Sequence, residues 1–227
     1  MLWLNLAAGG VILVLAYLCL RACESLSPSD WGDPWTNRLV GLITLYCRHY
    51  QGLDPRLRLP IPAQGGALVA ANHVSGVDPL LLIAASPRPL RFLIAREQYR
   101  RFGLTWVFRL AGCIPVDRTG RPEQALRDAL RALEAGDVVA LFPHGKIHLD
   151  SDPPRKLKGG VARLAQKTGC PIFPVRLDGI RGQGHTLAAL FVPSRARMGI
   201  HSSLQCDSAT DSCLADLTTL LETPAVP

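Results

Sequence analysis

Between Ala67 and Leu221, short apolar runs alternate with segments of helical periodicity, and this alternation restricts the chain to few architectures. Ala67–Ala71, Arg91–Ala95, Cys113–Val116, Val138–Phe142 and Ile172–Leu177 have the length and apolar character of buried strands. Pro79–Ala85, Glu97–Leu110, Pro122–Ala135, Gly160–Thr168 and Asp211–Leu221 read as helices between and after them. The clearest is Pro122–Ala135, amphipathic, with a proline in its first turn and Gly136 just past its end. Ala188–Val192 and Ala196–His201 are further strand candidates. The pattern predicts an α/β fold, a mixed sheet flanked by helices, whose functional loops leave the strand C-termini. A chain of 227 residues suits one well-packed domain, placed at 55–227, rather than two.

Ahead of that domain, Leu2–Leu20 holds no charged residue, and Asn5 is its only strongly polar one. About twenty helical residues span about 30 Å, the thickness of a bilayer's hydrocarbon core. Residues 1–22 are therefore predicted to form an N-terminal hydrophobic membrane-anchor helix. A helix buried in a small soluble domain would normally keep one polar face. A signal peptide would carry positive charge before its apolar stretch, and none precedes this one, so the anchor is expected to stay uncleaved. Every Lys and Arg lies at or beyond Arg21, which by the positive-inside rule is expected to put the globular domain on the cytoplasmic side of the membrane. Within residues 23–54, Asp33-Pro34 starts a helix over Trp35–Tyr50 with Leu39, Leu42, Ile43 and Tyr46 at helical spacing. Trp31 and Trp35 at its head suit an interfacial amphipathic helix; the same pattern also suits a helix packed on the domain.

A net charge of +7 and a pI near 9.3 point to an anionic partner. Aromatics are only 6%, too few for the stacking surfaces of most nucleic-acid binders, so a membrane bilayer is expected and nucleic acid is not. The seven cysteines form no CxxC pair, and their odd, dispersed set predicts reduced thiols. His144 and His148 have i, i+4 spacing, but no third ligand accompanies them and no metal site is expected.

The chemistry-bearing residues lie at predicted strand ends. Asn72-His73-Val74-Ser75-Gly76-Val77-Asp78 follows the Ala67–Ala71 strand and leads into a helix, with Asp78-Pro79 resembling an N-cap. His73 and Asp78, in His-X4-Asp spacing, would sit about 140° apart on one regular helix. A bend at Gly76 could instead return the carboxylate to the imidazole, making a general base of fixed tautomer. This is two-thirds of a catalytic triad without its serine, which suggests that the attacking hydroxyl comes from the substrate.

Three more blocks follow: Gly112-Cys113-Ile114-Pro115-Val116-Asp117-Arg118, Leu141-Phe142-Pro143-His144-Gly145-Lys146 and Pro171-Ile172-Phe173-Pro174-Val175. Together and in this order, the four blocks resemble the glycerolipid (lysophospholipid) acyltransferase family, the 1-acylglycerol-3-phosphate O-acyltransferases among them, over residues 65 to 200. The resemblance implies transfer of a fatty acyl group from acyl-coenzyme A or acyl carrier protein (acyl-CoA or acyl-ACP) to a lysolipid acceptor, without cofactor. It makes His73 the base and Asp78 its orienting partner, and it places Arg118 on the acceptor phosphate, as a bidentate guanidinium suits. Gly145 would allow close approach of substrate, and Lys158, in Lys158-Gly159-Gly160, would approach its head group. The backbone amides of Ser75 and Gly76 are candidate oxyanion donors. One position departs from the family, which usually has glutamate where this chain has His144. With Lys146, that exchange predicts a more cationic pocket, one that suits a phosphate but leaves the acceptor open. Lyso-ornithine lipid, another lysophospholipid and glycerol 3-phosphate are alternatives, as are a thioester hydrolase and a non-catalytic membrane-binding homologue.

Overall fold

The computed structural model describes residues 17–101, 103, 105–118, 120, 122–207 and 209–223. Six strands, β1 (Ala67–Ala71), β2 (Leu90–Ala95), β3 (Ile114–Val116), β4 (Val138–Leu141), β5 (Ile172–Asp178) and β6 (Arg197–Ile200), form one sheet in the order β3-β2-β4-β1-β5-β6. All neighbours are parallel except β6, which runs antiparallel to β5, so the sheet is mixed. Ala67 pairs with Val138 and Val69 with Phe173, putting β1 at the centre, buried at all five residues.

Alternate residues of the strands supply two cores, as the period of two requires. Val69, Ala140, Phe173 and Val175 pack on one face with Leu81, Leu82 and Ala85 of α2 (Asp78–Ala85) and Cys47 of α1 (Pro34–His49). Leu68, Val139, Leu141 and Ile172 pack on the other. There they meet α5 (Pro122–Glu134) through Ala125, Ala129 and Leu133, α6 (Gly160–Thr168) through Val161 and Leu164, and α7 (Thr210–Glu222) through Leu217 and Leu221. The buried spacing on α5 is the one its sequence pattern predicts.

Three expectations change. The helix expected over Glu97–Leu110 is two short helices, α3 (Arg96–Tyr99) and α4 (Thr105–Leu110), separated around Gly103 at φ 79°. Ala188–Val192 is not a strand: Ala188–Phe191 is a 3-10 turn. Its carbonyls find no ladder; Leu190 O accepts from Tyr46 Oη at 2.7 Å, Phe191 O from Tyr50 Oη at 2.7 Å and Val192 O from Gln51 Nε2 at 3.2 Å. Cys206 and Cys213, expected as thiols, form a disulfide with Cα atoms 5.4 Å apart; the other five cysteines are free.

Most of the predicted anchor at 1–22 lies outside the described residues. Residues 17–25 are helical, and among the described residues no helix is long and apolar enough to cross a membrane. That helix rests on α1 at Gly41, where a Cβ would collide with the Cys23 carbonyl. Helix α1 itself begins at Asp33, whose Oδ2 accepts from the Thr36 amide at 2.8 Å, and buries Val40, Thr44 and Cys47 against the domain. Its opposite side leaves Trp35, Leu42 and Leu45 exposed, so the helix both packs and presents an apolar face.

Candidate active site

The C-terminal edge of the sheet carries the predicted chemistry. Asn72, just beyond β1, splices its side-chain amide into β5, donating to Leu177 O at 2.9 Å and accepting from Leu177 N at 2.7 Å. His73 follows on this fixed backbone. The chain then bends sharply at Gly76, where a Cβ would collide with the Thr186 carbonyl, and enters α2 at Asp78.

Asp78 is fully buried and does not cap its own helix. Its carboxylate turns back over the bend: Oδ2 accepts from Val74 N at 2.7 Å and Ser75 N at 2.9 Å, and Oδ1 from Ser75 Oγ at 3.0 Å. Oδ2 also meets His73 Nδ1 at 2.7 Å. A carboxylate so saturated with donors cannot reorient, and it fixes the imidazole with its proton on Nδ1 and its Nε2 lone pair free to act. The ring is held from one side by Phe142, stacked with centroids 4.1 Å apart, and its side chain stays 19% accessible.

The same bonds correct the expected oxyanion donors. The Ser75 amide is spent on Asp78, and the Gly76 amide donates to His185 O at 3.0 Å. A developing oxyanion needs donors that are not already committed, so neither amide fills that role in this conformation.

Arg118, His144, Gly145, Lys146 and Lys158, spread over 41 positions of sequence, line one cavity of about 250 Å³. Arg155 and Lys156 line it too, although in the sequence Arg155-Lys156-Leu157-Lys158 reads as a solvated run. Arg118 pairs with Glu97 at 3.2 Å across its exposed rim. Gly145, at φ 76°, serves its turn and leaves room for Lys158: a Cβ there would lie 2.7 Å from Lys158 Nζ. The cavity adjoins the dyad, because His148 stacks on His144 with centroids 4.6 Å apart while its amide donates to His73 O at 2.7 Å.

His144 adds no charge to this cavity at neutral pH, contrary to the expectation. Burial, with His148, Arg155, His73 and Arg176 around it, holds its pKa down to about 4. The added cation of that block is Lys146 alone. Among the described residues no group of three or more His, Cys, Asp or Glu is placed to hold a metal.

A family model described as Acyltransferase matches residues 56–178. An N-acylphosphatidylethanolamine synthase of Arabidopsis thaliana is 32% identical over 120 residues, 48% of this chain and 42% of that protein. A 1-acyl-sn-glycerol-3-phosphate acyltransferase of Bacillus subtilis (strain 168) is 25% identical over 120 residues, 52% of this chain and 59% of that protein. The chain thus spans about half the length of the curated relatives it matches. The crystal structure of the 1-acyl-sn-glycerophosphate (LPA) acyltransferase PlsC from Thermotoga maritima superimposes with a TM-score of 0.65 at 19% identity, covering 94% of each chain. That likeness shows the fold.

Proposed function

We propose that this chain, which belongs to the acyltransferase family, moves a fatty acyl group from acyl-CoA or acyl-ACP to the hydroxyl of a lysophosphatidate-like acceptor at a membrane. The observation that carries this reading is buried Asp78 holding His73 Nδ1 at 2.7 Å, next to a cavity lined by cations. His73 Nε2 takes the proton of the acceptor hydroxyl as that oxygen attacks the thioester carbonyl carbon. Asp78 stabilises the imidazolium so formed. The carbon–sulfur bond then breaks, and the leaving thiolate takes the proton from His73, giving an ester and a free thiol. The step needs no cofactor and no enzyme nucleophile. Ser75 Oγ is bonded to Asp78, and burial pushes the Cys47 and Cys113 thiols up to about 12 and about 11.

Two relatives named for acylation of 1-acyl-sn-glycerol-3-phosphate support a phosphate-bearing acceptor. The Arabidopsis thaliana relative is named for an N-acyl product, and the same base would serve an amine. The apolar stretch Leu2–Leu20 and the exposed Trp35, Leu42 and Leu45 support a membrane location, with the catalytic domain facing the cytoplasm.

A membrane-fraction assay with labelled acyl-CoA, a panel of lysolipids and phosphatidylethanolamine tests this directly. Ester product should appear with wild type and fall by about 10³-fold in His73→Ala. Full transfer by His73→Ala would remove the assignment of the base. Free fatty acid without lipid product would make the chain a hydrolase, and an amide product would move the acceptor atom to nitrogen.

A further inference from the structure

We propose that Arg155 and Lys156 are specificity-determining residues: with Arg118, Lys146 and Lys158 they complete an anion-binding ring that favours an acceptor head group ending in a phosphomonoester over one carrying its own cation. This rests on the acyl-transfer reading above and assigns a role to a loop that the reading does not use.

The loop joins β4 to α6 and runs over residues 142–159, far longer than the two to six residues typical of such connections. It is nevertheless tied down. The His148 amide donates to the carbonyl of His73, and the Lys158 amide to Pro143 O at 2.9 Å, closing the loop at its base. Between them Asp150 is paired with Arg176, a buried guanidinium that also holds Asp178 and donates to Leu221 O at 2.9 Å. Leu157, buried between Lys156 and Lys158, pins the last stretch. A long loop bonded to the catalytic residue and to the core delivers its cations to a fixed place beside the base.

The charge in that place is one-sided. Five cations line the cavity with neutral His144 and Gly145, and among the described residues no carboxylate and no Phe, Tyr or Trp lines it. Of the acidic neighbours, only Glu97 touches the ring, pairing with Arg118 at its exposed rim; Asp150 is engaged with Arg176, and Asp152 with the Leu149 amide at 2.9 Å and His148 at 3.5 Å. A phosphomonoester brings a charge of about −1.5 to −2 near neutral pH, where a phosphodiester brings one negative charge and, in ethanolamine or choline head groups, a compensating ammonium. That ammonium would find no Trp, Tyr or Phe face among the described lining residues and, as its nearest carboxylate, only Glu97 at the rim, already paired with Arg118. His144 is 5% exposed and its Nδ1 has no partner, a buried polar atom beside the ring that gives the cavity a neutral hydrogen-bonding wall.

The test uses the full chain in neutral detergent micelles, where the surface adds no charge. Initial rates are measured with lysophosphatidate, lysophosphatidylethanolamine and lysophosphatidylcholine, for wild type, the double variant R155Q/K156Q and R155K. Both side chains are exposed, so the variants should unfold at the wild-type temperature. The double variant should raise KM for lysophosphatidate about tenfold, raise it about threefold at most for the zwitterionic acceptors, whose phosphodiester keeps one negative charge, and leave kcat and the KM for acyl-CoA within about twofold, while R155K should keep most of the affinity. An equal rise for all three acceptors, or no rise for any, would overturn the proposal. A rise confined to acyl-CoA and absent with acyl-dephospho-CoA would also overturn it, assigning the ring to the donor's phosphomonoester. Calorimetric binding of glycerol 3-phosphate supplies a readout independent of transfer: weaker binding to the double variant supports the ring, and equal binding refutes it. Failure of the underlying reading looks different, as His73→Ala would then retain transfer or wild type would acylate none of the acceptors.

Discussion

His144 is a titratable side chain placed where its charge is unwelcome. Its ring is buried against His148, with Arg155, His73 and Arg176 near enough to oppose a proton. With its folded pKa lowered from 6.5 to about 4, the unfolded chain binds a proton in that interval which the folded chain refuses. Stability therefore falls as pH drops from about 6.5 to about 4, and His144 adds no slope above that window. His144→Gln should flatten this part of the curve of unfolding temperature against pH; an unchanged slope would show that the ring protonates freely. The dyad residues His73 and Asp78 are legible in the sequence because the motif is local: five positions of chain bring them together. The commitment of the Gly76 amide is illegible for the opposite reason. The Gly76 amide is consumed by His185, more than a hundred positions away, and such commitments leave no trace in the motif. Arg155 and Lys156 are similar, since only the folded loop turns a charged run into one wall of a cavity.

Helix α1 carries apolar side chains on two faces. Val40, Thr44 and Cys47 are buried against the domain, while Trp35, Leu42 and Leu45 lie seven and three positions apart on the other side and are 66%, 51% and 39% exposed. Arg38 lies over the Trp35 ring at 4.6 Å, a pairing of cation and aromatic suited to a head-group boundary. The packing its sequence allowed is realised on one face; the outer, exposed apolar face is the one proposed to meet lipid. Replacing Leu42 and Leu45 by Asp should reduce sedimentation with anionic phosphatidylglycerol vesicles by about tenfold or more without lowering the unfolding temperature, since neither side chain is in the core. Unchanged sedimentation would leave the membrane contact to residues before α1. Strand and helix positions were legible wherever an element satisfies its own backbone or pairs in the sheet's interior. Ala188–Val192 is not, because its carbonyls at Leu190, Phe191 and Val192 are taken by Tyr46 near the end of α1 and by Tyr50 and Gln51 just past it. An apolar run looks like a strand until its hydrogen-bond partners are known.

The arrangement of the sheet is the least legible feature. Periodicity identifies the strands, but nothing local shows that β4 inserts between β1 and β2, the step that puts His144 beside His73. The Cys206–Cys213 disulfide belongs to the same category. Dispersed cysteines predict free thiols, yet the connection after β6 and the first turn of α7 bring these two within bonding distance, both buried. The bridge closes a short loop, with a sequence separation of 7, so it restricts the unfolded chain modestly. Opening it should cost about 2 kcal/mol, lowering the unfolding temperature by about 5 °C for a domain of this size. The loss should stop at stability. Helix α7 remains docked through Leu217 and Leu221 and still offers Leu221 O to Arg176, so the Asp150 loop and the dyad keep their places. Thermal unfolding with and without reductant, alongside Cys213→Ser, checks this. Reductant should lower the wild-type transition to that of the variant and leave the variant itself unmoved, with acyl transfer at 25 °C unchanged in both. A wild-type transition indifferent to reductant would mean that the bridge contributes nothing to the fold. A fall in transfer would tie α7 to the cationic loop more tightly than its contacts imply.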